Sequence, residues 1–193
     1  NDINFEKKDV KHVYDKNTYT YYKKLYEKIL IKETKEYIAF NKPSGIAVQG
    51  GSSQKYHIDG MLRYLFKETD TPKLVHRIDK ETSGLLIVAR DQQSAKNLSN
   101  YFKGRKIIKT YLAIVSPCPK TDTGIIDLPI LKKEYKGQRK MTVDHKKGKQ
   151  TITEYKILDK VSSRVGLIAL YPKTGRTHQL RVHLENINAP IVG

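Results

Sequence analysis

The chain is poor in cysteine, in acidic residues and in long apolar stretches, and each shortage removes a class of function. Its single cysteine, Cys118, lies between Pro117 and Pro119. One thiol forms no internal disulfide and builds no cysteine-based metal site, so a reducing compartment, the cytoplasm, is expected. No run of about 18 apolar residues occurs, which argues against a membrane span. His178 and His183 lie without an H-E-x-x-H pattern, which argues against a zinc site. Acidic side chains number 20 against 37 Lys plus Arg, a formal charge of +17. That sign is wrong for most polysaccharide enzymes. A glycoside hydrolase would also need two carboxylates across a sugar bond, and only Asp79 and Glu81 lie close in sequence.

The positive charge is unevenly spread. Lys132, Lys133, Lys136, Arg139, Lys140, Lys146, Lys147 and Lys149 cluster against only Glu134 and Asp144. A lysine-rich proteome would raise basicity throughout; clustering favours a polyanion such as RNA or DNA. Spaced apolar runs argue for a core and against general disorder. At 193 residues the chain suits one domain.

Residues 1–34 are rich in Lys, Tyr, Asp and Asn without a clean apolar period, and read as an N-terminal arm or linker. Tyr19, Tyr21, Tyr22 and Tyr26 stand among lysines. Such rings can stack on bases, but packing against neighbouring structure is the commoner fate. Apolar spacing then predicts strands over 36–41, 73–75, 85–89 and 107–115, with later ones at 138–144, 150–158 and 163–171. Helices are expected over 57–68, over 92–103 with Asp91 as N-cap, and from about Thr177. Strands outnumber helices, and the late strands follow one another directly. The fold class is α+β, with a mixed, largely antiparallel sheet and flanking helices.

Asp79 lies in the stretch His76-Arg77-Ile78-Asp79-Lys80-Glu81-Thr82-Ser83-Gly84, ahead of the apolar run Leu85-Leu86-Ile87-Val88-Ala89. A carboxylate on a short turn anchored to a core strand suits a nucleophile or base. An Asp three residues before a Thr is, taken alone, more commonly a turn former or helix cap. Three further segments tip the balance. They are Asn41-Lys42-Pro43-Ser44-Gly45-Ile46-Ala47-Val48-Gln49-Gly50-Gly51, Lys109-Thr110-Tyr111-Leu112-Ala113-Ile114-Val115, and Lys173-Thr174-Gly175-Arg176-Thr177-His178-Gln179-Leu180-Arg181-Val182-His183-Leu184. With the Asp79 segment they resemble, in order, the motifs of the RluA family of pseudouridine synthases. The resemblance runs from about Tyr37 to the last residue. Its first motif is most similar to the branch that modifies large-subunit ribosomal RNA.

The resemblance implies a pseudouridine synthase catalytic domain over 35–193, with RNA as substrate, no cofactor, no metal and no obligate protein partner. In the family a further strand-bearing segment follows a sequence like Ala189-Pro190-Ile191-Val192-Gly193, so the domain is expected to be incomplete here. Asp79 is implied as the essential carboxylate, Tyr111 as the active-site tyrosine, and Arg77 as the side chain that fills the gap left by a flipped base. Arg181 is the expected partner of Asp79, because a guanidinium keeps a partly desolvated carboxylate ionised and grips it at two points. Arg176 could fill that role, but its turn position suits phosphate contact better; Lys146 and Lys147 suit RNA binding as well. The plainer readings are a half-buried sheet aromatic at Tyr111, an exposed Arg181–Glu185 pair at i, i+4, and a satisfied structural histidine at His76. Two rival functions follow: a non-catalytic RNA-binding or ribosome-assembly module on the same scaffold, and a transfer-RNA pseudouridine synthase. Passive binding does not require Asp79, Tyr111 and Arg181 together.

Overall fold

The computed structural model describes residues 15–51, 55–67, 71–104, 106–135 and 138–193. Lys136 lies outside them, and nothing is described of the Arg139 side chain. The chain divides after Asn100 into two compact units.

In the first unit, α1 (Lys16–Ile29) and β1 (Leu30–Glu33) occupy the stretch read above as a linker or arm. Asp15 starts the helix, its carboxylate accepting from the Asn17 and Thr18 amides at 3.1 and 3.3 Å. Tyr22, Leu25 and Ile29 form its buried stripe. The period is helical, but a tyrosine supplies one of its apolar positions, so composition hides it. Tyr22 is buried and the Tyr26 ring meets Phe40 and Phe66 edge-on or tilted, so these two tyrosines serve packing. Next come β2 (Tyr37–Lys42), α2 (Ile58–Leu65), β3 (Lys73–Leu74), β4 (Gly84–Ala89) and α3 (Gln92–Lys103). The sheet order is β1-β2-β4-β3, with every pair antiparallel. Ile38 and Phe40 on β2 face Val88 and Leu86 on β4, and Met61 and Leu62 of α2 are also fully buried. Asp91 caps α3 by accepting the Ser94 amide at 2.7 Å, as expected.

The second unit contains β5 (Tyr111–Val115), β6 (Thr123–Asp127), β7 (Ile130–Tyr135), β8 (Gln138–Val143), β9 (Ile152–Val161), β10 (Val165–Pro172) and α4 (Gln179–Asn186). Its sheet runs β5-β10-β9-β6, again antiparallel throughout, and β7 pairs with β8 in a separate hairpin. Val115, Ile126, Tyr155, Ile168, Leu170 and Leu184 form the core, with Leu180 and Ile187 of α4 packed against it. The strand expected from residue 107 begins only at Tyr111, and Ile108 is 87% exposed.

Candidate active site

The Asp79 turn is built by a neighbouring loop. On β2 the side chains of Ile38, Phe40 and Lys42 share the inward face, because strand residues alternate. Lys42 is 0% exposed, so its ammonium must find acceptors inside the protein. It donates to the carbonyls of Pro43 at 2.9 Å, Ile46 at 2.7 Å and Lys80 at 3.1 Å. Burial lowers its pKa, while the carboxylates of Glu81 and Asp79 oppose that shift. The same loop adds two clamps: the Gly45 amide donates to Lys80 O at 2.9 Å, and Ser44 Oγ donates to Glu81 O at 2.9 Å.

Thr82 N donates to Asp79 O at 3.1 Å, so the turn itself is closed by main chain. Gly84, opposite Lys42 in the sheet, leaves the turn at φ +121°, a region that disfavours side chains. Ile78 is buried and Asp79 half-buried. Arg77 is exposed, and its Nη1 donates to Gln49 Oε1 at 3.3 Å. His76 Nε2 accepts the Ile87 amide at 2.9 Å, a structural role on β4.

Tyr111, at the start of β5, is half-buried against the second unit's core and stands opposite Leu170. Lys109, two residues earlier, puts its ammonium beside Gly175, where a Cβ would lie 3.3 Å from Nζ. Burial pushes the Lys109 pKa down. This contact brings segments 109–115 and 173–184 together around the loop that carries Arg176. Arg176 is exposed, and its amide donates to Gln179 Oε1 at 3.1 Å.

Gln179 is buried and saturated. Its Oε1 also accepts from Thr174 Oγ1 at 2.8 Å, while Nε2 donates to Ile152 O at 3.1 Å and Thr153 Oγ1 at 3.0 Å. One turn on, His183 is 0% exposed and bonds Thr151 Oγ1 at 2.7 Å. The Thr151 hydroxyl donates to Leu128 O, so it accepts from His183 Nε2–H. The lone pair of His183 Nδ1 has no hydrogen-bond partner. Gln179 and His183, four apart, tie one side of α4 to the start of β9, and Arg181 leaves the helix on another side, half-buried. The plain pairing of Arg181 with Glu185 is replaced by a Lys140–Glu185 contact at 3.4 Å.

Burial pushes the His183 imidazole below the ordinary value of 6.5. The unfolded chain therefore binds more protons near that pH, and the stability contributed by the neutral ring is lost as the pH falls below it. The His183 proton resonance is therefore expected to titrate below the ordinary histidine value in the folded protein. Titration of that resonance at the ordinary histidine pKa would contradict the burial account.

The lysine-rich segment forms the β7–β8 hairpin and the turn after it. Asp144 Oδ1 accepts the amides of Lys146 and Lys147 at 2.9 and 2.8 Å, and Oδ2 pairs with Lys133 Nζ at 2.7 Å. The Lys133 ammonium, chiefly, and these amides hold the Asp144 pKa down at about 2. Both Lys146 and Lys147 side chains are left exposed.

Arg77 and Asp79 thus share one turn of the first unit, while Tyr111, Arg176, Arg181, Lys146 and Lys147 belong to the second. The sequence reading gave no role to Lys42, Lys109 or Gln179, and weighed His183 only as a zinc ligand. Alternation from Ile38 and Phe40 was the available signal for Lys42, and i, i+4 spacing for the Gln179–His183 pair.

Residues 36–186 match the family described as RNA pseudouridylate synthase. A ribosomal large subunit pseudouridine synthase C of Rickettsia prowazekii is 41% identical over 171 residues, covering 89% of this chain and 56% of that protein. A synthase of the same name from Buchnera aphidicola is 40% identical, covering 84% and 51%. A ribosomal large subunit pseudouridine synthase D of Borreliella burgdorferi is 36% identical, covering 85% and 52%. This chain therefore spans about half the length of these curated relatives. Among solved structures, human RNA pseudouridylate synthase domain containing 4 superposes with a TM-score of 0.77 at 28% identity, covering 92% of this chain and 71% of that one. The four ordered motifs, the antiparallel α+β fold and these matches agree: the chain belongs to the RluA family of RNA pseudouridine synthases.

Proposed function

We propose that this chain isomerises specific uridines of large-subunit ribosomal RNA to pseudouridine, with Asp79 as the essential carboxylate. The observation that carries the proposal is the Asp79 turn, clamped by Lys42, Ser44 and Gly45 inside a chain matched to this family from residue 36 to 186. The names of the relatives supply the ribosomal target class.

The reaction breaks the bond between uracil N1 and the ribose, turns the base, and joins its C5 to the same sugar carbon. One proton leaves C5 and one is gained at N1, so the change is balanced within the nucleotide. It needs a carboxylate at the sugar–base junction, a proton relay and a pocket that retains the free base. Asp79 supplies the first, and Arg181 is the cation proposed for the reaction. Tyr111 supplies a ring for the base and a hydroxyl for the relay. Arg77 enters the gap that the flipped base leaves in the RNA stack. Arg176, Lys146 and Lys147 bind phosphates, in keeping with a cytoplasmic RNA-modifying protein.

Incubation with transcripts of large-subunit ribosomal RNA and of transfer RNA, followed by mapping of pseudouridine, tests the proposal. Pseudouridine in the ribosomal transcript is expected. Tight binding of either RNA without any pseudouridine would support the binding-module rival, and modification of transfer RNA alone would support the other. Affinity should also fall steeply with salt, because phosphate contacts release counterions. Joint Lys146→Glu and Lys147→Glu exchange should weaken binding to all RNA sequences while sparing the rate at saturating RNA. A salt-insensitive affinity would remove the phosphate role.

A further inference from the structure

We infer that the outer tyrosines of α1, with the lysines beside them, form a second RNA contact that takes unpaired nucleotides flanking the target. The inference rests on the reading of the chain as an RNA-acting enzyme and adds a substrate subsite to it. Five tyrosine rings run in series across α1 and α2. Centroids lie 6.4 Å apart for Tyr19–Tyr64, 5.6 Å for Tyr64–Tyr22, 5.7 Å for Tyr22–Tyr56 and 4.5 Å for Tyr56–Tyr21. Tyr22, in the middle, is buried and joins the helices. The end rings are not consumed by packing: Tyr19 is 47% and Tyr21 40% exposed. Tyr22, Leu25 and Ile29 already provide the helix with its buried stripe.

The surface around Tyr21 is cationic. Lys24 and Lys28, at i+3 and i+7, lie on its side of the helix and are exposed. Lys55 holds its ammonium 5.2 Å from the centre of the Tyr56 ring. Within α1 the only acidic residue is Glu27. Exposed rings interleaved with lysines match single-stranded RNA, since bases stack on the rings while phosphates meet the ammonium groups. A paired stem offers no open base face, so the ligand is the unpaired strand.

The site also connects with the Asp79 turn inside the first unit. Arg77 bonds Gln49, and the adjacent Gly50 packs so closely on His57 that a Cβ would come within 2.6 Å of Nε2. His57 caps α2 by accepting the Gly60 amide at 2.9 Å, and Tyr56 directly precedes it. Within the first unit, Gln49, Gly50, His57 and Tyr56 thus link Arg77 to the tyrosine series.

Three RNAs test this: a bare target stem-loop, and the same stem-loop with an unpaired extension on its 5′ or its 3′ side. Kd is read by fluorescence anisotropy for the unaltered chain, Tyr21→Leu and Lys24→Gln. The unaltered chain should bind one extended RNA about tenfold more tightly than the bare one. Tyr21→Leu, which retains apolar bulk at an exposed position, should abolish that preference. Lys24→Gln should reduce it, and neither change should alter kcat. Equal affinity of the unaltered chain for all three RNAs, or a full preference retained by Tyr21→Leu, overturns the inference. Absence of pseudouridine from every reaction of the unaltered chain overturns the functional reading instead, and leaves the Kd comparison as a test of the surface.

Discussion

Asp79→Asn should bind substrate RNA about as tightly as the unaltered chain and form no detectable pseudouridine. The exchange keeps the shape of the side chain while removing its charge and its reactive oxygen. It should not collapse the turn, because main-chain groups close it: Thr82 N bonds Asp79 O, and the carbonyls of Lys80 and Glu81 accept from Lys42, Gly45 and Ser44. Folding is thus separated from chemistry at this position, which makes the variant informative. Its companion, Arg181→Met, keeps a long stem on α4 and removes the cation proposed for the reaction, so activity should fall there as well. Both variants need an unfolding curve first, so that a lost activity is not mistaken for a lost fold. Undiminished pseudouridine formation by folded Asp79→Asn would remove Asp79 from the chemistry and leave the enzyme without its proposed carboxylate.

Lys42→Met should lower stability by about 1–3 kcal/mol and reduce kcat at least about tenfold. Two effects oppose one another in the stability term. Removing a buried ammonium relieves its desolvation, but the carbonyls of Pro43 and Ile46 then lose the donor that satisfies them. The carbonyl of Lys80 keeps the Gly45 amide, so the turn loosens rather than opens. Looseness is enough to harm chemistry, because a reacting group misplaced by about 1 Å can cost about 100-fold in rate. Urea unfolding gives the first quantity, and turnover at saturating RNA gives the second. A stable, fully active Lys42→Met protein would show that the clamp does not position Asp79.

Much of the fold was legible because burial writes a period into the chain. Strands β2, β4, β9 and β10 and helices α2 and α3 lie where apolar spacing predicts them, with small shifts at their ends. What was missed has physical causes. In α1 the stripe uses Tyr22, and lysines fill the intervening positions, so no run of aliphatic residues marks it. Strand β6 alternates in burial, but the exposed position beside buried Ile126 is also an isoleucine, Ile125, so the sequence shows no apolar–polar alternation. Strand β7 carries Lys132, Lys133 and Glu134 on an exposed hairpin, so its charge is legible and its strand character is not.

The candidate site divides in the same way. Asp79, Tyr111 and Arg181 stand out through the four ordered motifs, since each taken alone has a plainer reading. The groups that hold the motifs look ordinary in sequence. A Lys-Pro pair reads as surface, yet the inward period of β2 buries Lys42 completely. Gln179 reads as a solvated helix residue, yet it makes four hydrogen bonds in the interior.

The most direct test of the account is made in cells that lack this gene, complemented with the unaltered gene or with its Asp79→Asn form, with pseudouridines mapped in ribosomal and transfer RNA. The account predicts that particular large-subunit ribosomal sites lose pseudouridine in the deletion, regain it with the unaltered gene, and stay unmodified with Asp79→Asn although the variant protein accumulates. Restoration of those sites by Asp79→Asn, or a deletion that leaves every ribosomal site modified, would contradict it.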